Sequence, residues 1–363
     1  MPAPLPARPL VVTGDPVLLD DVLRLAAAAG TVPEVVADAG AARRSWPTAP
    51  VVLVGADQVA AALRAQLPRR AGVVLLGADL DDGGVWQRAV GLGAEHVWFL
   101  PDHEAEVTTA LADARDGAAD LAPLLAVVGG RGGAGATTLA VGLALAGVRR
   151  GQRALLVDGD PLGGGVDLVL GGESDPGPRW PELSGTQGRL SAPALAAAVP
   201  VMSGAGVLSW DRGHAHSVPP EAMEAVLGAA RRGHDLVVVD LPRRPDAAGR
   251  VALAAATTTL LVVPAEVRAA AAASRVASSV GLLCRDLRVV VRGPSPLGLG
   301  GGEIARALGL PLAGEMRAER HLDAQLDRGD PPGRRAGGPL AGLCDRLVEE
   351  CCRERSVPGR LAA

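Results

Sequence analysis

Leu124 to Ala144 reads LLAVVGGRGGAGATTLAVGLA, and this stretch decides the fold. An apolar run, Leu124–Val128, enters a glycine-dense turn that opens into a helical pattern beginning near Thr137. Gly130, Gly132, Gly133 and Gly135 permit positive φ, so successive backbone N–H groups can converge on an anion. The N-terminus of the following helix adds its dipole. The spacing is G-x-x-x-x-G-K-[ST] from Gly130 through Gly135 to Thr137, with Ala136 where lysine is expected. A buried strand feeding such a loop and a helix predicts a parallel α/β sheet with helices on both faces.

The missing lysine belongs to a wider absence. None of the 363 residues is lysine, so all 36 basic side chains are arginine. Without an amine side chain, Schiff-base chemistry and a lysine general base are excluded. A net charge of −4, a single phenylalanine and no tyrosine argue against a nucleic-acid surface, which needs a basic stripe and stacking rings. Cys284, Cys344, Cys351 and Cys352 form no C-x-x-C pair, so reduced thiols are expected rather than a zinc site. The opening MPAPLPARPL lacks the pattern of a signal peptide. Alanine-rich stretches at 252–256 and 269–273 are broken too soon to span a membrane, so a cytoplasmic protein is expected.

Upstream of the loop, short apolar runs alternate with helical patterns from Pro9 to about Gly117. The runs are Leu10–Val12, Glu34–Val36, Val51–Val54, Val73–Leu76 and His96–Leu100. Asp15 as N-cap and Pro16 in the first turn begin a helix with Leu18, Leu19, Val22 and Leu23 on one face, ended by Gly30. Five such units suggest a doubly wound sheet over residues 1–117. The block resembles a response-regulator receiver with its phosphotransfer positions lost. The acidic pair after the first strand reads Thr13-Gly14, with Asp15 one step late. The phosphoacceptor position reads Val54-Gly55, with Asp57 two residues beyond, and the Lys-Pro after the fifth strand reads Leu100-Pro101. The resemblance implies a flavodoxin-like pseudo-receiver that docks to a partner and carries no phosphate.

Residues 118–123 read as a linker, 124–352 as the second α/β domain and 353–363 as a tail. Further strands are expected at Ala154–Val157, Val207–Leu208, Leu236–Val239, Leu260–Val263 and Val289–Val291. Helices are expected at Thr137–Val148, Pro220–Arg232, Glu266–Leu283 and Gly302–Leu308. The Gly-, Pro- and Ser-rich stretch Gly171–Gln187, which carries Trp180, reads as a long functional or loosely ordered insertion. His214 and His216 beside Asp211 read as solvated loop residues rather than a metal site.

The loop does not stand alone. Val157-Asp158-Gly159-Asp160-Pro161 follows the next strand, and the run Leu236–Val239 ends in Asp240-Leu241-Pro242. In this order the motifs resemble the MinD/ParA class of deviant Walker A ATPases. The added pseudo-receiver is similar to the CpaE-like branch, which includes actinobacterial proteins described as septum site-determining or as helicase/secretion-neighbourhood CpaE-like. The resemblance implies ATP and Mg²⁺ as ligands. It places Gly130, Arg131, Gly132, Gly133, Ala134, Gly135, Ala136, Thr137 and Thr138 around the phosphates, and Thr137 and Asp240 at Mg²⁺. Asp160 would sit near the attacking water. Arg131 would take the place of the first family lysine, which reaches across a dimer, while Ala136 loses the second, which contacts the β/γ-phosphates. Arg292 falls in the nucleotide-base region, where the family often has Asn.

Loss of the second lysine implies weak or absent hydrolysis, because nothing else in the loop supplies that charge to the transferring phosphoryl group. The expected function is spatial regulation of septum placement or of pilus or secretion assembly, through protein partners of that machinery and a homodimer. A slow, dimerising ATPase using Arg131 and a purely protein-binding adaptor are the alternatives. The terminal amphipathic segment Leu343–Glu350 carries acidic residues, so membrane association is expected to be indirect only.

Overall fold

The computed structural model describes residues 8–77, 84–115, 121–186, 188–213, 217–295, 298–319 and 321–355. His214, His216, residues 118–120 of the linker and residues 356–363 of the tail lie outside them. The chain divides into two compact units, Met1–Leu121 and Ala122–Ala363.

In the first unit the strands are β1 (Leu10–Val12), β2 (Glu34–Val36), β3 (Val52–Gly55), β4 (Val73–Gly77) and β5 (His96–Phe99). They form one parallel sheet in the order β2-β1-β3-β4-β5, the flavodoxin-like winding. Helices Pro16–Ala28 and Glu104–Arg115 bury Val22, Leu25 and Leu111 against one sheet face. The other face holds Trp46, Val59 and Val85. Asp15 caps the first helix by accepting the Val17 and Leu18 amides at 2.9 and 3.3 Å. The buried face of that helix runs through Leu18, Val22 and Leu25, while Leu23 points to solvent. The expected stripe drifted because 3.6-residue periodicity carries Leu25, not Leu23, under Leu18 and Val22.

The second unit contains β6 (Leu124–Gly129), β7 (Ala154–Asp158), β8 (Val201–Met202), β9 (Ala205–Leu208), β10 (Leu236–Leu241), β11 (Thr258–Pro264), β12 (Leu287–Arg292) and β13 (Leu312–Met316). The sheet order is β13-β12-β11-β6-β10-β7-β9-β8, parallel except for the β8–β9 hairpin. β6, β7, β10 and β11 are buried at every residue, as strands covered on both faces must be. One core cluster lies on each face.

Helix Ala136–Arg149 carries the phosphate-loop geometry into the core and buries nine residues, Leu139 through Gly147. It packs against the terminal helix Pro339–Arg355, and Gly142 makes the approach feasible: a Cβ there would lie 2.9 Å from Cys344 Sγ. That terminal helix contributes Leu340, Leu343, Leu347 and Val348 to the core, so its apolar face is already covered. Among the described residues no helix is long and apolar enough to cross a membrane.

The stretch Gly171–Gln187 departs from the expected insertion. It contains a short helix, Trp180–Leu183, and Trp180 is wholly buried in the core. A Gly- and Pro-rich composition hid an anchoring ring worth some 150–250 Å² of buried surface.

Candidate phosphate-loop site

β6 is central in its sheet, flanked by β11 and β10, so its C-terminal end opens where neighbouring strands also end. The Gly130 amide continues the ladder by donating to Val262 O at 2.8 Å. A Cβ on Gly130 would meet Ala273 at 2.7 Å, which seats the start of the loop against helix Val267–Val280. Gly133 and Gly135 adopt φ of +68° and +95°. Around Gly132 and Gly133 a Cβ would find nothing within 4 Å, so the loop surface there is open. No side chain caps helix Ala136–Arg149 at Gly135. Its first-turn amides are thereby left for an anion.

Beneath the loop lies a carboxylate group. Asp240 is the penultimate residue of β10 and is paired in register with Val127 of β6 and Asp158 of β7. Burial pushes the Asp240 carboxyl up to about 8, opposed by a hydrogen bond from Thr137 and reinforced by Asp158 and Asp160. Burial likewise raises Asp158 to about 7. Asp158 accepts the Asp160 and Val166 amides at 3.1 and 3.0 Å and the Ser209 hydroxyl at 3.4 Å, so it shapes the turn after β7. Asp160 is half-buried and accepts the Leu162 amide at 3.1 Å. Trp180 Nε1 donates to Asp158 O at 2.6 Å, fixing the same turn from outside.

Thr137, Asp158, Asp160 and Asp240 thus converge, as the motif order anticipated. Among the described residues no group of three or more His, Cys, Asp or Glu side chains is arranged to hold a metal by itself. That is consistent with Mg²⁺ chemistry, which takes one or two carboxylates and completes its shell with water and phosphate oxygens.

Arg131 turns to Glu266, its Nη2 bonding Oε1 and Oε2 at 3.0 and 3.2 Å. Arg292 Nη1 donates to Gly133 O at 3.0 Å. Arg243 and Arg244 are exposed. Glu266 stood out only as a helix start in the sequence, while Asp167, at the end of the run Gly163–Asp167 that follows Asp160, is fully buried. Arg212 bonds Asp167 at 3.1 and 3.3 Å, with Arg179 at 3.8 Å. No spacing rule links such distant partners.

In the first unit, Asp57 follows β3 and turns towards the end of β1. Its carboxylate accepts the Thr13 hydroxyl at 2.8 Å, the Gly14 amide at 2.7 Å and the Gln58 amide at 3.0 Å. A Cβ on Gly55 would stand 2.3 Å from Asp57 Oδ1, so no other side chain fits. Burial opposes its charge, yet the bonds from Gln58, Gly14 and Thr13 hold the carboxyl below its ordinary value.

Residues 12–121 match the family described as Rv3660c-like, CheY-like N-terminal domain. The uncharacterized protein Rv3660c of Mycobacterium tuberculosis (strain ATCC 25618 / H37Rv) is 41% identical over 321 residues, covering 87% of this chain and 90% of that protein. The chain belongs to the Rv3660c-like family. The phosphate-loop unit of this Rv3660c-like chain shares its fold with solved MinD and ParA structures. The septum site-determining protein MinD from Pyrococcus horikoshii OT3, complexed with Mg-ADP, aligns with TM-score 0.56 at 19% identity, covering 66% of this chain and all of that one. A ParA-family ATPase from Chlorobium tepidum TLS gives 0.55 at 16% identity over 62% and 98% of the two chains. The Aquifex aeolicus MinC:MinD cell division complex gives 0.54 at 21% identity over 67% and 99%. The Rv3660c-like fold is therefore a CheY-like unit joined to a MinD/ParA-type P-loop unit.

Proposed function

We propose that this protein is a CpaE-like spatial regulator whose deviant Walker A loop binds Mg·ATP and hydrolyses it weakly or not at all. The observation that carries this reading is the convergence of an uncapped, glycine-opened helix N-terminus with Thr137 and Asp240, above a lysine position held by Ala136. The open surface at Gly132 and Gly133 suits a phosphate chain, and the Asp240 carboxyl beside the Thr137 hydroxyl suits a divalent cation that takes its other ligands from water and phosphate. Thr137 and Asp240 would hold Mg²⁺, and the amides of residues 132–138 would hold phosphate oxygens. When bound, Mg·ATP supplies a γ-phosphate that distinguishes one nucleotide state from another.

The chain's own residues favour binding over turnover. Ala136 brings no charge to the transferring group, and Arg131 is tied to Glu266 rather than free to reach a partner's nucleotide. Asp160 keeps a carboxylate beside the site but also structures its own turn. With its Asp57 carboxylate already engaged by Thr13, Gly14 and Gln58, the CheY-like unit is read as a docking module, and the regulated process is septum placement or pilus or secretion assembly.

Calorimetry with Mg·ATP, run beside a phosphate-release assay, tests the reading. Saturable binding with turnover no faster than that of Asp160→Ala is expected. Robust turnover that disappears in Asp160→Ala would replace the regulator with a working ATPase. Absence of any heat at millimolar Mg·ATP would remove nucleotide binding altogether.

A further inference from the structure

Resting on that reading, we infer that Arg292 supplies, from the end of β12, a fixed positive charge that grips the phosphate chain of a bound nucleotide in place of the absent loop lysine. Arg292 is the last residue of β12, in register with Pro264 of β11 and Met316 of β13. Its side chain crosses to the phosphate loop and donates from Nη1 to Gly133 O at 3.0 Å. The same Nη1 stands 3.4 Å, and Cδ 3.5 Å, from where a Cβ on Gly135 would be. Gly135 is held to glycine by its φ of +95° and by Met316 Cε, 3.0 Å from where a Cβ would be, and the guanidinium lies beside it at van der Waals distance.

Two contrasts make this placement informative. Arg131, the cation within the loop itself, is neutralised bidentately by Glu266. Arg292 has a backbone carbonyl as its partner, and no carboxylate among the described residues lies within ion-pair distance of it. A guanidinium has five N–H donors in a planar fork, of which the Gly133 bond uses one. The remaining donors and an uncompensated charge sit against the open glycine surface, beside the uncapped helix N-terminus. That arrangement is suited to phosphate oxygens. It also accounts for a loop that dispenses with lysine at residue 136 in a chain that has none.

The charge is set on the Gly133–Gly135 side of the loop, not on the residue preceding Thr137. Its effect therefore falls on affinity rather than on phosphoryl transfer. Arg292 is a binding residue, and its loss is expected to weaken nucleotide binding.

The test measures Mg·ADP and Mg·ATPγS affinity by calorimetry for the full chain and for Arg292→Gln, Arg292→Lys and Ala136→Lys/Arg292→Gln. Gln retains a donor for Gly133 O but not the charge, and unchanged circular dichroism and melting confirm an intact fold. Arg292→Gln is expected to bind about tenfold or more weakly, the scale of a hydrogen bond to a charged group. Its affinity should also depend less on salt. Arg292→Lys should retain part of the affinity, and the double variant should recover it. If Arg292→Gln binds within about threefold of wild type with the same salt slope, the inference is overturned while nucleotide binding stands. If wild type binds neither probe, the underlying reading fails first.

Discussion

Asp158 and Asp240 occupy paired positions on the neighbouring parallel strands β7 and β10, and both are buried. Burial raises them to about 7 and about 8, each opposed by hydrogen bonds too few to offset desolvation. In the unfolded chain both return to the ordinary carboxylate value near 4, so the native state binds more protons between about pH 4 and 8. Stability is therefore greatest at the acid end of this window and falls as pH rises, by up to about 1.4 kcal/mol per pH unit for each group. Urea midpoints of the nucleotide-free protein at pH 5.5, 7 and 8.5 should decrease in that order, and Asp240→Asn should flatten the trend. A midpoint that rises with pH across the window would show that the pair is not held protonated.

The same pair gives Mg²⁺ binding a proton signature. A divalent ion at Asp240 favours the ionised carboxylates, so loading the site at pH 7 should release protons. Calorimetric enthalpies of Mg·ADP binding should then vary between buffers of different ionisation enthalpy. Identical enthalpies in all buffers would place the ion away from these carboxyls.

How much of this was legible in the sequence depends on the range of each interaction. β6, β7 and β10 were legible because strands buried on both faces must be unbroken apolar runs, and the loop was legible because its glycines and Thr137 act within eight residues. β13 was not, since Leu312-Ala-Gly-Glu-Met316 lies at a sheet edge, buries only Met316 and shows neither an apolar run nor a two-residue alternation. Alanine-rich helices such as Ala192–Ala198 carry too little contrast for a 3.6-residue period to show. The contact between Arg292 and Gly133 spans 159 positions of chain, and Asp57 enters the pocket of Thr13 across 44. Such pairings follow from strand order, which no local pattern encodes.

Asp57 gives the proposed pseudo-receiver reading of the CheY-like unit a direct test. Three donors satisfy its carboxylate, and Gly55 leaves no room for a second acid. Acetyl phosphate with Mg²⁺ should leave the intact mass of residues 1–121 unchanged within the full chain. Asp57→Ala should destabilise that unit by about 1–3 kcal/mol, because the Thr13 hydroxyl and Gly14 amide lose their partner. A stoichiometric phosphoryl adduct that vanishes in Asp57→Ala would make the unit a working receiver.

Trp180 ties the turn after β7 to the core. Its ring is wholly buried, packs at 6.1 Å from Trp210, and donates to Asp158 O at 2.6 Å. Trp180→Phe preserves most of the ring volume but leaves that carbonyl without its donor, so a loss of roughly 1–3 kcal/mol is expected. Because Asp158 and Asp160 share this turn, the variant should also weaken Mg·ADP affinity several-fold. Unchanged affinity beside lowered stability would show that the turn holds its shape without the indole.

The ion pair between Arg131 and Glu266 is partly exposed, with both side chains more than a third accessible. Such pairs contribute about 0–1 kcal/mol, so Glu266→Gln should barely move the melting temperature. Its consequence lies elsewhere: Gln cannot neutralise Arg131, and the freed guanidinium adds a second cation to the rim of the loop. Mg·ATPγS affinity should therefore rise several-fold in Glu266→Gln, with a steeper salt dependence than wild type. The gain should be absent from Arg131→Gln/Glu266→Gln. If Glu266→Gln alone leaves affinity and salt slope unchanged, Arg131 does not reach the phosphate site even when released, and its charge serves only the Glu266 contact.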